Sequence, residues 1–126
     1  MLREQLKSKI HRACVTDGNV NYEGSIGIPA DLLEAVDIWE GEKVLVVSVT
    51  NGARLETYAL ALPRGSKQVV MNGAAARLIH VGDRVIIIGF GVASERIVAR
   101  KIYCNERNEV IRKPKLPRPR AGARKR

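Results

Sequence analysis

The chain has 126 residues, 45% of them hydrophobic and 4% aromatic, which is one domain's worth of sequence with a core of Val, Ile, Leu and Ala. After residue 104 nine Lys/Arg stand against two Asp/Glu, and before it thirteen stand against eleven, so a nearly neutral body carries a basic arm. No run approaches the roughly 20 apolar residues of a membrane span, and no signal-peptide hydrophobic stretch follows Arg3. Cys14 and Cys104 are too few and too far apart for a disulfide framework or a zinc site, so a cytoplasmic protein with reduced thiols is expected.

Residues 2 to 16 alternate loosely and predict a first strand, with Lys9 and His11 on one face, where they can share a site. Thr16-Asp17-Gly18-Asn19 is turn chemistry. The chain then reaches Tyr22-Glu23-Gly24-Ser25-Ile26. Gly24 permits a sharp and strained turn, and Ser25 brings a hydroxyl within reach of the carbonyl before it. A Gly-Ser pair also reads as a plain turn. Ile26 and Ile28 alternate with glycines in a strand from Ser25 that Pro29 closes. A short helix follows from Asp31 to Val36, with Leu32, Leu33 and Val36 on one face. Trp39-Glu40-Gly41-Glu42 is a turn, and Lys43 to Thr50 is a β-branched strand. Asn51-Gly52 signals a hairpin into Leu55 to Leu62, ended by Pro63. Lys67 to Met71 predicts another strand, Gly73 to Leu78 a short helical turn, and Arg84 to Phe90 the most apolar strand. Ser94 to Tyr103 fits a strand or a helix.

An internal repeat runs through these elements. Shifted by 41 residues, Ala35 falls on Ala76, Ile38 on Ile79, Gly41 on Gly82, Glu42 on Asp83 and Val44 on Val85. Each copy reads as short helix, Gly-acid turn and strand. Two such units in a β-rich chain imply a barrel with pseudo-twofold symmetry and few open edges. The domain expected is residues 1–104. Residues 105–126 hold three of the five prolines and little apolar content, so a disordered basic tail is expected there.

Several motifs, in one order and with close spacing, resemble the pyruvoyl-dependent aspartate 1-decarboxylase family. They are Lys7-Ser8-Lys9-Ile10-His11-Arg12-Ala13, Tyr22-Glu23-Gly24-Ser25, Asn51-Gly52-Ala53-Arg54, Thr57-Tyr58-Ala59, Arg64-Gly65-Ser66 and Asn72-Gly73-Ala74-Ala75-Ala76. The resemblance covers about residues 1 to 90 and not the tail. It implies a mainly β fold, a double-psi β-barrel with short helices, and a homotetramer of processed chains with sites between neighbouring subunits. The implied reaction takes L-aspartate to β-alanine and carbon dioxide for pantothenate and coenzyme A synthesis.

Decarboxylation of an α-amino acid leaves a carbanion that needs an electron sink. Pyridoxal phosphate would serve on a lysine, but no phosphate-binding loop is evident. The resemblance implies a pyruvoyl group made from Ser25, with no metal and no pyridoxal phosphate. Ser25 attacks the Gly24 carbonyl, elimination splits the resulting ester, and hydrolysis with loss of ammonia leaves a ketone at residue 25, which takes the substrate amine as a Schiff base. Tyr58 matches the family's proton donor. Arg54 suits a carboxylate, Lys9 would attract the dianionic substrate, and Thr57, Gly73, Ala74 and Ala75 match substrate-contacting positions. Thr57 and Asn72 also match positions linked to cleavage. His11 would relay protons or contact Tyr22. Each of these is, taken alone, an ordinary strand, hairpin or helix-start residue.

Three features depart from the family pattern. Val47 and Ser48 stand where relatives carry a tryptophan nearby, Val20 and Asn21 where they often have Leu and His, and the tail is long and basic. Two other readings compete. Ser25-Ile26-Gly27-Ile28-Pro29, a short helix, Gly41-Glu42 and a strand also resemble the swapped-hairpin DNA-binding domains of bacterial transition-state regulators. The basic tail suits that reading, but a nucleic-acid partner is not expected from a near-neutral body. The third reading is an inactive relative that never matures.

Overall fold

The computed structural model describes residues 1–113, and these are mainly β. In chain order they form β1 (Arg3–Cys14), β2 (Asp17–Asn19), β3 (Ser25–Pro29), α1 (Ala30–Val36), β4 (Lys43–Ser48) and β5 (Arg54–Leu62). Then come β6 (Val70–Asn72), a 3-10 turn (Gly73–Arg77), β7 (Arg84–Ala93), β8 (Arg100–Cys104) and β9 (Val110–Ile111). The strand order is β2-β6-β3-β5-β4-β7-β1-β8-β9. Parallel pairs β1–β8, β2–β6 and β3–β5 mix with antiparallel ones, so the chain crosses over itself rather than meandering. Ile10, Ile26, Ile28, Val44, Val46, Met71, Val85 and Ile87 fill the interior. Burial of these apolar side chains drives the fold, each contributing roughly 1.5–3 kcal/mol. Among the described residues no helix is long and apolar enough to cross a membrane.

The repeat is visible as symmetry. β4 and β7 pair antiparallel, and Val46 lies opposite Ile87, its own counterpart in the repeat. Leu45 faces Ile88 and Val47 faces Ile86, which is the pairing a twofold axis between the strands produces. The turns before them match as well. Glu42 accepts from the Trp39 N–H at 3.0 Å, and Asp83 accepts from the His80 N–H at 2.9 Å. Gly41 and Gly82 share a left-handed backbone, with φ of 89° and 93°. The acid and the glycine of the Gly-acid pair thus have separate jobs, one capping the turn and the other letting it form.

The fold runs past the boundary expected at residue 104. Asn108 is buried, with its amide placed between β1 and the approach to β6. It accepts from the Cys14 N–H at 2.7 Å and donates to the carbonyls of Cys14 and Lys67, both at 2.9 Å. Beside it Glu109 meets Lys67 at 3.2 Å and Arg107 at 3.1 Å. Hydrogen bonds from Asn105, Lys67 and Arg107 hold the Glu109 carboxyl down to about 2. These contacts tie the segment between β8 and β9 to the end of β1 and to the approach to β6. Composition alone hid this, because a single buried asparagine amide satisfies three backbone groups. The remainder of the expected tail, residues 114–126, lies outside the described residues.

Two elements differ from expectation. Asp17–Asn19, read as a turn, pairs parallel with Val70–Asn72 as a short strand. Ser94 to Tyr103 ends in the strand β8, settled by its partner β1 rather than by its own periodicity.

Candidate active site

Ser25 opens β3 and is completely buried. Two strands fix it: β6 places Asn72 directly opposite, and β5 runs parallel with Ala59 beside Ile26. That register puts Tyr58 level with Ser25. The Ser25 hydroxyl accepts from Asn72 Nδ2 at 3.0 Å and donates to the Glu23 carbonyl at 3.4 Å. Asn72 is itself buried, so its amide is oriented by the strand pair and not by solvent.

The strain expected at Gly24 is absent there. Gly24 stays out of the left-handed region, and a Cβ on it would meet nothing within 4 Å. The demanding glycine is Gly73, at φ 73° on the facing segment. A Cβ there would sit 2.7 Å from Gly24 Cα, 2.8 Å from Gly24 N and 3.1 Å from the Tyr22 carbonyl oxygen. The peptide before Ser25 is therefore shaped from outside, by a backbone that approaches closely because it has no side chain. Ala74 is exposed, and Ala75 packs against the core.

The other predicted residues divide. On β5 Arg54, Glu56 and Tyr58 point outward, while Thr57 turns inward with Ala59. Arg54 stands opposite Val47 and Tyr58 opposite Lys43. Thr57 is half-buried and makes no hydrogen bond to Ser25. Tyr58 is 37% exposed and Tyr22 54%, so both phenols reach the surface beside the buried serine.

Lys9 and His11 lie elsewhere. They are on β1, and β5, β4 and β7 separate that strand from β3. Both line a cavity of about 740 Å³ with Arg12, Arg84, Lys101 and Tyr103. The His11 ring meets Tyr103, with centroids 5.2 Å apart, and not Tyr22 of the same chain. Burial, helped by Lys9, Arg12 and Arg84, pushes the His11 imidazole below its ordinary 6.5. Its Nδ1 is buried without a partner. Sequence reasoning passed over Arg12, Arg84 and Lys101. A signal for Arg12 was available, since alternation along β1 breaks after His11. Among the described residues, no group of three or more His, Cys, Asp or Glu is placed to hold a metal ion.

The chain can therefore present a buried nucleophile at a tightly packed peptide, a phenol beside it, and a separate cationic wall. The aspartate decarboxylase family model matches residues 1–111. Aspartate 1-decarboxylase of Bacillus cytotoxicus is 49% identical over 115 residues, 88% of this chain and 91% of that protein. That of Bacillus cereus is 52% identical over 115 residues, with the same coverage. The aspartate 1-decarboxylase of Syntrophomonas wolfei is 56% identical over 95 residues, 75% of this chain and 80% of its own length.

Proposed function

The chain belongs to the aspartate decarboxylase family, and from that premise we propose that its chemistry begins with self-cleavage between Gly24 and Ser25. It is a carboxy-lyase that takes L-aspartate to β-alanine and carbon dioxide. The observation that carries the proposed mechanism is the buried Asn72–Ser25 hydrogen bond at the Gly73-packed corner.

Ser25 Oγ attacks the Gly24 carbonyl carbon, the Gly24–Ser25 amide bond breaks, and an ester forms in its place. Elimination then releases residues 1–24 as a carboxylate and leaves dehydroalanine at residue 25, and its hydrolysis by water, with loss of ammonia, gives the pyruvoyl group. The surroundings fit such a group. Residue 25 is fully enclosed, the Asn72 amide already points at its side-chain oxygen, and Gly73, with no side chain, lets the Gly24 backbone pack closely against it. The group supplies an electron sink for the carbanion left by carbon dioxide. Asn72 and the Gly73 backbone hold it. Tyr58, level with residue 25 on β5, returns the proton to the α-carbon. Arg54 takes a substrate carboxylate in its planar fork. Thr57, Gly73, Ala74 and Ala75 line the substrate's path.

Lys9 and His11 line the cavity between β1 and β8 and not the Ser25 corner, and this supports a homotetramer of processed chains in which they meet a neighbour's corner. Cytoplasmic placement is part of the same reading. The denatured mass of the purified protein tests it first. Two fragments, 1–24 and 25–126, are expected, the larger lighter by one ammonia. Ser25→Ala should give one intact chain and no decarboxylation; activity in an intact Ser25→Ala chain would end the pyruvoyl reading.

A further inference from the structure

β5 carries a carboxylate in the middle of the face that has to receive an anion. Arg54, Glu56 and Tyr58 all point outward from it. Successive outward residues on a strand stand about 7 Å apart, so the Glu56 side chain reaches toward the groups on both sides. A dianionic substrate lying between Arg54 and Tyr58 would pass directly over that negative charge. Glu56 is also a natural partner for the Arg54 guanidinium, whose fork accepts a side-chain carboxylate as readily as a substrate one. A carboxylate placed there competes with the substrate from within the chain.

The group that answers it stands on β4. β4 and β5 pair antiparallel, with Lys43 opposite Tyr58, Leu45 opposite Glu56 and Val47 opposite Arg54. Lys43 is therefore the diagonal neighbour of Glu56 on the same face, a separation that a long side chain spans. Its Nζ meets Glu56 Oε2 at 3.4 Å. This draws Glu56 toward the Tyr58 end of the face and away from Arg54. Leu45 and Val47, the β4 residues level with Glu56 and Arg54, offer the carboxylate no polar alternative. Both partners are largely exposed, so the pair adds little to stability. Its effect falls on which charges face the substrate.

We propose that Lys43 is a positioning residue for substrate binding: it engages Glu56, cancels that charge and leaves the Arg54 fork open to the substrate carboxylate. This role rests on Arg54 gripping a substrate carboxylate, as proposed above. Lys43 itself touches no substrate, and cleavage between Gly24 and Ser25 does not involve it.

The test is steady-state decarboxylation of L-aspartate by the processed full-length protein and its variants, with cleavage read from the denatured mass. Lys43→Gln frees Glu56 for Arg54 and should raise KM about threefold to fivefold, with kcat within about twofold of the parent. Glu56→Gln removes the competitor and should leave KM at or below the parent value. The double variant, Lys43→Gln with Glu56→Gln, should behave as Glu56→Gln alone, because Lys43 then has nothing to hold. All three should cleave as the parent does and unfold within about 2 °C of it. If Lys43→Gln raises KM equally in the parent and in the Glu56→Gln background, Lys43 attracts the substrate by its own charge and the proposal fails. An unchanged KM in Lys43→Gln overturns it too. So does a raised KM in Glu56→Gln, which would mean that the carboxylate holds a cation the substrate needs. Arg54→Gln separates this role from the reading beneath it. That variant should raise KM on the order of tenfold or more. With that rise present, the other outcomes bear on Lys43 alone; without it, the assignment of Arg54 and the role of Lys43 fall together.

Discussion

At the Gly24-Ser25 corner the buried side chains are paired and uncharged, whereas in the β1–β8 cavity cations crowd together and a buried imidazole nitrogen has no partner. Both regions carry unusual backbone, Gly73 at φ 73° in one and Arg12 at φ 65° in the other. The difference lies in what that backbone achieves. At the corner it brings two main chains together around a nucleophile whose reaction partner is the adjoining peptide. In the cavity it brings charges together on the wall that, in the proposed tetramer, meets a neighbour's corner. A site whose reactants are all in the chain can be satisfied before it works, while a wall that a neighbour and a substrate complete stays unsatisfied in the single chain.

The sharpest way to break this contrast is at the two glycines of the corner. Gly73→Ala forces a Cβ to within 2.7 Å of Gly24 Cα and strains the left-handed backbone. It should slow cleavage by about a hundredfold or more, as displacements on the order of 1 Å do. Gly24→Ala meets open space and should cleave within about threefold of the parent. Mass spectrometry of the chains against time after synthesis reads both. The reverse result would return the turn strain to Gly24. Asn72→Ala comes next. It leaves the buried Ser25 hydroxyl without its donor, at a cost of about 1–3 kcal/mol, so cleavage should slow about tenfold or more while the fold survives. Cleavage at the parent rate would show that the amide only fills space.

Much of this was legible in the sequence because the signals were local. Asn51-Gly52, Pro29 and Pro63 marked turns and strand ends, and the repeated Gly-acid pair announced a symmetry that the Val46–Ile87 pairing then displays. The Tyr22-Glu23-Gly24-Ser25 and Asn72-Gly73 motifs belong to one corner, as the strand register shows. What stayed hidden depends on which strands become neighbours. A body with thirteen basic and eleven acidic residues looks neutral, yet Lys9, Arg12, Arg84 and Lys101 come from three strands distant in sequence and meet at one wall. Net charge cannot report such a concentration. Gly24 drew attention because it precedes the serine, while the glycine under steric demand lies 49 residues further on, at Gly73. Asn108, in a stretch with the composition of a tail, ties β1 to the approach to β6 through contacts that only the folded chain makes.

The smallest expected effect concerns the cavity at rest. His11 faces Lys9 and Arg12 on its own strand, Arg84 on β7, and Lys101 and Tyr103 on β8. Burial and those cations lower its pKa from 6.5 in the folded chain. Between the folded value and 6.5 the unfolded chain binds more protons, so the native state loses stability as pH falls through that window. The unfolding midpoint should therefore drop from about pH 7 to about pH 5, and His11→Gln should remove part of that drop. An anion in the cavity acts in the opposite sense, favouring the imidazolium and flattening the same profile. A midpoint whose pH dependence is identical in the parent and in His11→Gln would mean that the imidazole titrates alike in the folded and unfolded chain. The cavity would then hold less unbalanced charge than its residues imply, and the contrast with the satisfied corner would narrow accordingly.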